Sequence, residues 1–303
     1  FCSDDKHPDD LVKGHINRLV ERSVNYHGFS LMKTLRVATK NAVEHYGLDV
    51  GMLRQGDDAD FIVVNDIQEF KVKKTFIKGK LVAQDGKTFI DSVDVIPANK
   101  FVATRKDPSD FSIDRESTKI YAIEALDGEI ITNRVIVNAK ADNGNLVSDV
   151  DNDMLKIAVI DRYKNSDPAL GFVKNFGLKR GAIATSVAHD SHNVIAVGTS
   201  DEEIAAAVNA VIDGEGGMAV TDAGKTVVQP LPVAGLMSAG DGYEVAEKYS
   251  QLDKEAKKLG SQLSAPFMTL SFMALLVIPK LKLSDKGLFD GEKFEFIDLE
   301  VHE

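Results

Sequence analysis

Two stretches of this chain gather residue types that do chemistry. The first is Phe1-Cys2-Ser3-Asp4-Asp5-Lys6-His7-Pro8-Asp9-Asp10, a short apolar entry that runs into four acids and a histidine. The second is His189-Asp190-Ser191-His192-Asn193, which sets two imidazoles, a carboxylate, a hydroxyl and an amide side by side. A carboxylate near an imidazole suits a transition metal that must activate water. Asp4, followed by Asp5 and His7, is therefore a candidate metal-ligand position. The competing reading is a polar cap for the helix that follows, and spacing alone leaves both open. In the second stretch an amide or carboxylate can pair with ring and exocyclic nitrogens of a ligand. Histidine can donate or accept at neutral pH. A metal held by histidines three apart in a loop is a weaker reading, and a turn that satisfies its own backbone is the plain one.

These residues need elements to position them. The first stretch has the form of a buried strand's carboxyl end opening into a loop, which is where α/β barrels place catalytic groups. Pro8 and Asp9 start a helix in which Ile16, Leu19, Val20 and Val24 recur at helical spacing, and Gly28 ends it. Ser30 caps a second helix with Leu31, Leu35, Ala38 and Ala42 inside, stopped by Gly47. Two helices after a strand end suit the last βα unit of a larger domain. The texture then changes. Residues 61–65 read as a strand, and 72–77 and 80–84 as a hairpin around Lys78-Gly79, continued by 88–90. Residues 97–115 read as a polar connector.

Beyond the connector an α+β pattern begins. Strands are expected at 119–125 and 129–139, paired across Asp127-Gly128, and at 155–161, 182–188 and 194–197. A helix follows Ser200 or Asp201, and a hairpin turns at Ala223-Gly224. Helices over 241–260 and 266–278 precede a polar tail. The 189–193 stretch thus lies in a loop between two apolar strands, at a sheet end. Gly214-Glu215-Gly216-Gly217 is not a phosphate loop, because a helix precedes it and a strand follows. The alternating charges between Glu247 and Lys258 read as a solvated helix face.

Bulk composition excludes several classes. The 303 residues carry a net charge of −11, from 47 acids against 36 bases, which argues against a nucleic-acid binder. The single cysteine, Cys2, precludes an internal disulfide framework and fits a reducing, cytoplasmic setting. No apolar run approaches the ~20 residues of a membrane span, and no signal peptide is evident. The chain lacks an initiator Met, so the expectation is a processed or excised piece.

The run from Gly51 through Gly56-Asp57-Asp58-Ala59-Asp60, Phe61–Asn65 and the hairpin at Lys78-Gly79 resembles the carboxyl-terminal sandwich of the amidohydrolase superfamily. Within it, Cys2–Pro8 followed by Gly14-His15-Ile16 looks like the prokaryotic-type adenine deaminases. So do the stretches 134–138, 181–193 and 231–238, which match the extra carboxyl-terminal domain of those enzymes. The resemblance implies a mixed α/β and α+β fold. Residues 1–47 would be the last strand and helices of a metal-dependent (β/α)8 barrel, 48–100 a β-sandwich segment, and 116–303 the α+β carboxyl-terminal domain. It also implies hydrolytic deamination of adenine to hypoxanthine and ammonia, in purine salvage, with a divalent metal (manganese or iron, in a binuclear site). Asp4 matches the family's ligand and proton shuttle. His189, Asp190, Ser191, His192 and Asn193 would read the purine edge. Asp5 and His7 would support Asp4.

The chain has no His-x-His pair, so the remaining ligands are expected upstream of Phe1, in the amino-terminal barrel portion of the same enzyme. The polypeptide alone is expected neither to hold a complete metal site nor to turn over. A homodimer is a further candidate assembly. Two rivals stay open: another amidohydrolase acting on a cyclic amide, and a non-catalytic binding or assembly module derived from such an enzyme.

Overall fold

The computed structural model describes residues 1–117 and 119–301. The chain divides into two compact units, Phe1–Val95 and Ile96–Glu303.

The first unit opens with residues 1–7 in no regular structure. Phe1–Ser3 pair with no other strand among the described residues, and a strand exists only by pairing. Helices α1 (Pro8–Leu11), α2 (Ile16–Asn25), α3 (Leu31–Ala38) and α4 (Lys40–Tyr46) follow. Both long helices expected from periodicity are broken. The first breaks at Gly14, with φ +148°, a conformation closed to residues with a Cβ. The second breaks at Thr39, whose hydroxyl donates to the Leu35 carbonyl at 2.7 Å and diverts the turn. Strands β1 (Phe61–Val64), β2 (Val72–Ile77), β3 (Lys80–Gln84) and β4 (Lys87–Thr88) then form an antiparallel sheet in sequence order. Lys78-Gly79 has φ +49° and +76°, the primed geometry that matches strand twist, and the expected hairpin forms there. Val20 and Phe70 are the buried apolar side chains of this unit among the described residues, while Met32, Tyr46 and Leu53 stay more than 70% exposed.

The second unit begins earlier than a polar connector over 97–115 would allow. Ala103, Lys106 and Phe111 are buried there, Phe111 on the short 3-10 turn Pro108–Phe111. Its strands are β5 (Lys119–Ala125), β6 (Thr132–Asn138), β7 (Lys140–Asp142), β8 (Asn145–Val147), β9 (Met154–Ile160), β10 (Ala169–Lys174), β11 (Ala182–Thr185) and β12 (Val194–Gly198). Helix α5 (Asp201–Asp213) is followed by β13 (Gly217–Asp222) and β14 (Lys225–Pro230). Helices α6 (Gly242–Lys258) and α7 (Pro266–Phe272) precede β15 (Leu281–Ser284), β16 (Gly287–Asp290) and β17 (Glu295–Ile297).

Eight of these strands form one sheet in the order β14-β13-β11-β12-β9-β10-β5-β6. Its pairs are antiparallel except β10 with β5. Side chains alternate across it. Small residues (Ala158, Ala184, Ala196, Ala219) face Ile204, Val208 and Val211 of α5 and let that helix approach. Larger ones (Ile157, Val159, Ile183, Ile195, Val197) face Leu252, Phe267, Leu270 and Leu283, contributed by α6, α7 and β15. With both faces covered, β9 is buried at every position and reads as an apolar run broken by Lys156.

Two expectations fail here, and one strand was not expected. The apolar helix over 266–278 stops at Phe272, because residues 273–278 turn by i→i−3 bonds before Pro279. The tail is not a polar loop: β15, β16 and β17 pair in sequence order. Two of its charged residues, Lys282 and Asp290, are themselves buried. Strand β10 escaped notice because Gly171 interrupts a short apolar run.

Candidate functional site

In the first unit the geometry of the opening loop is set by its own short side chains. Asp4 has φ +54°, a conformation in which aspartate is enriched. Its backbone N–H donates to Cys2 Sγ at 3.4 Å, and its Oδ1 accepts from the Asp5 N–H at 2.9 Å. Ser3 Oγ lies 2.8 Å from His15 Nε2, tying the loop to the start of α2. Asp4 and Asp5 are exposed, and His7 is half-buried just before α1. A carboxylate that accepts one backbone bond keeps further lone pairs for a cation or a proton.

Two other acids of the unit, Asp57 and Asp60, shape its turns. Asp60 accepts from the N–H groups of Gly51 at 2.8 Å and Lys78 at 2.7 Å. Those two bonds, Gly51's foremost, hold its carboxyl below the usual range. Asp57 caps the same turn through Met52 N–H and Arg54. Among the described residues, no group of three or more His, Cys, Asp or Glu comes together where a metal could be held. Asp4 is part of no such group among the described residues.

In the second unit one end of the large sheet collects polar residues. Strand β11 ends at Thr185, and Ser186 turns the chain by two bonds. Its hydroxyl donates to the Gly235 carbonyl at 2.6 Å and accepts from the Gly217 N–H at 2.8 Å. His189 follows, anchored by its N–H to the Ser271 carbonyl at 3.2 Å. Its ring stacks on Phe272 of α7, with centroids 5.1 Å apart and 17° between planes. His192 has φ +53° and meets the His189 ring edge-on, at 5.8 Å. Asp190 points outward with its side chain 73% exposed, and Ser191 is exposed too. Asn193 is buried where β12 begins. The loop thus fixes its imidazoles and amide and leaves one carboxylate and one hydroxyl in solvent.

Two neighbouring segments join it. At the end of β9, Asp161 Oδ1 accepts from the Tyr163 N–H at 2.8 Å. The Arg162 guanidinium is buried: Nη1 donates to the Ala234 carbonyl at 2.6 Å and Nη2 to Tyr163 Oη at 2.7 Å. Its Cζ sits 4.7 Å from the centre of the Tyr163 ring. The turn after β14 supplies Gly235, with φ +68°. A Cβ there would stand 1.7 Å from Arg162 Nη1, so only glycine admits the guanidinium.

The structure therefore gathers His189, His192 and Asn193 with Arg162, Tyr163, Ser271 and Phe272. Asp4, Asp5 and His7 belong to the other unit. Sequence reasoning passed over Arg162 and Tyr163, although a charged and an aromatic residue at the end of a largely apolar strand were the available signal. Ser271 and Phe272 lay inside an apolar helix and carried none.

Comparison with known proteins places two families on the chain. The amidohydrolase family model matches residues 2–82, and that of the adenine deaminase C-terminal domain matches residues 129–295. A protein of Salinibacter ruber named adenine deaminase is 51% identical over 300 residues, covering 98% of this chain and 55% of its own length. The adenine deaminase of Methanosarcina barkeri is 49% identical, over 99% of this chain and 56% of its own length. That of a Sulfurovum species is 53% identical, over 98% and 54%. The chain spans about half the length of the curated relatives it matches.

Proposed function

Because this chain belongs to the adenine deaminase family, we propose that it is the carboxyl-terminal portion of an enzyme that hydrolyses adenine to hypoxanthine and ammonia. One observation carries the reading: relatives of that name are about half identical to it across nearly its whole length, spanning both family matches. In this reading residues 1–47 close a (β/α)8 barrel, 48–100 contribute to a β-sandwich, and 116–303 form the carboxyl-terminal domain. The exposed apolar side chains of the first unit, Met32, Tyr46 and Leu53 among them, support this, since a surface of that kind is normally covered. The amino-terminal barrel portion of the same enzyme would cover it. The setting would be cytoplasmic purine salvage. Among the described residues no helix is long and apolar enough to cross a membrane.

Asp4 would be both metal ligand and proton carrier. Its carboxylate would take a proton from the attacking water and deliver it to the departing amine. A divalent metal, manganese or iron in a binuclear site, would supply the electrophilic activation of water when bound. Asp5 and His7 would steady Asp4. The 189–193 loop would read the purine: Asn193 by its amide, His189 and His192 by donors and acceptors, Asp190 and Ser191 from the exposed side. A base with the wrong exocyclic group would leave those partners unpaired, which is how such a site discriminates.

The test is substitution in the full-length enzyme carrying this sequence. Asp4→Asn keeps size and removes the proton acceptor. Adenine turnover should fall by at least about 100-fold with the melting temperature unchanged. Undiminished turnover would remove Asp4 from the mechanism. Hydrolysis of dihydropyrimidines in place of adenine by the unaltered enzyme would overturn the substrate.

A further inference from the structure

We infer that Arg162 and Tyr163 are positioning residues for the 189–193 loop, an inference that rests on the reading of that loop as the purine-contacting one. The pair touches the loop at two points. The Arg162 backbone N–H donates to Asn193 Oδ1 at 3.4 Å, and Tyr163 Oη donates to the Ser191 carbonyl at 3.4 Å. The same hydroxyl accepts from Arg162 Nη2, and Arg162 Nη1 holds the Ala234 carbonyl. The guanidinium thus braces the phenol from behind and ties it to the turn after β14. Ser186 reaches that turn too, through Gly235. Two separate connections therefore join the 231–238 turn to the two ends of the loop.

The chemistry of the pair fits positioning. Arg162 is buried with both Nη groups committed to the protein, and it is set by the planar fork that only arginine has. Tyr163 is partly exposed, so its hydroxyl is the outermost member of the network. Its contact to Ser191 is long, and a shift of a few tenths of an ångström towards Tyr163 would strengthen it. A loop so held presents His189, His192 and Asn193 in one arrangement before substrate arrives. Losing the hold would then cost binding rather than chemistry.

Tyr163→Phe in the full-length enzyme tests this, alongside His189→Ala. The phenylalanine keeps the ring beneath Arg162 and removes only the hydroxyl. KM for adenine should rise roughly five- to tenfold, the worth of a hydrogen bond or two, with kcat within about twofold. Amide exchange at 189–193 should quicken while β11 and β12 keep their protection. If His189→Ala raises KM and Tyr163→Phe leaves KM, kcat and loop exchange unchanged, the positioning role is refuted and the loop reading stands. If neither variant moves KM, the loop is not a purine site and the inference falls with it. A Tyr163→Phe effect confined to melting temperature would mark the pair as structural only.

Discussion

Lys282 and Lys156 are both buried lysines, and they meet opposite solutions. Lys156 donates to Asp201 at 2.6 Å and to the Phe111 carbonyl at 2.7 Å. Burial still lowers its pKa, and the carboxylate opposes that. Lys282 donates to carbonyls, those of Ile130 at 2.7 Å and Phe272 at 3.0 Å, and burial is the one influence that shifts it. Burial alone pushes it down from 10.5 to about 8. Below about pH 8 both the folded and unfolded forms carry the proton, and the cost of the buried charge is fully present. Between about 8 and 10.5 the unfolded chain holds a proton that the folded one has shed, so rising pH favours folding at this site. The unaltered protein should therefore gain on a Lys282→Met variant by up to roughly 3 kcal/mol between pH 7 and pH 10. Urea unfolding of both proteins at the two pH values measures it. An unchanged gap would mean that the ammonium is not desolvated.

At the scale of elements, α5 is the clearest case of a helix specified locally. Ser200 accepts from the Glu203 N–H at 3.3 Å, Asp201, Glu202 and Glu203 occupy the positive end, and the buried stripe faces the alanine side of the sheet. Ser200→Ala should cost about 1 kcal/mol and Ser200→Gly only a few tenths, measured by denaturant midpoint. An unchanged midpoint for Ser200→Ala would show that the hydroxyl is not the cap. In α3 and α4 the same local rules are overridden. The pattern from Leu31 to Tyr46 is continuous, yet the Thr39 hydroxyl bonds back to Leu35 and splits the helix.

For the molecule as a whole, the units differ in self-sufficiency. The second has an eight-stranded sheet with apolar cores on both faces. Residues 96–303 alone should unfold in one cooperative transition, near the temperature at which these strands melt in the whole protein. Calorimetry together with amide exchange would test this, and a broad, non-cooperative melt would contradict it. The first unit has Val20 and Phe70 as its buried apolar side chains among the described residues, which is too little to offset the entropy of ordering that length of chain.

The sequence by itself determined the elements whose signal is short-range. The apolar run of β9, the capped stripe of α5 and the glycine turns at Lys78-Gly79 and Ala223-Gly224 were all legible, because period, cap and φ > 0 are properties of neighbouring residues. It also marked 189–193 as polar between two strands. Only the tertiary structure decided what that loop meets. Thr185 pairs with both Ile195 and Met218, and that registry brings the 231–238 turn and the end of β9 to the same sheet end. Arg162 and Phe272 gain their partners from segments tens of residues away. Lys282 is buried in β15, because a strand's two faces are told apart by what packs on them. At Phe1–His7 residue types left a metal ligand and a helix cap both open, the family resemblance singled out Asp4, and among the described residues no strand pairs with the loop to set its geometry.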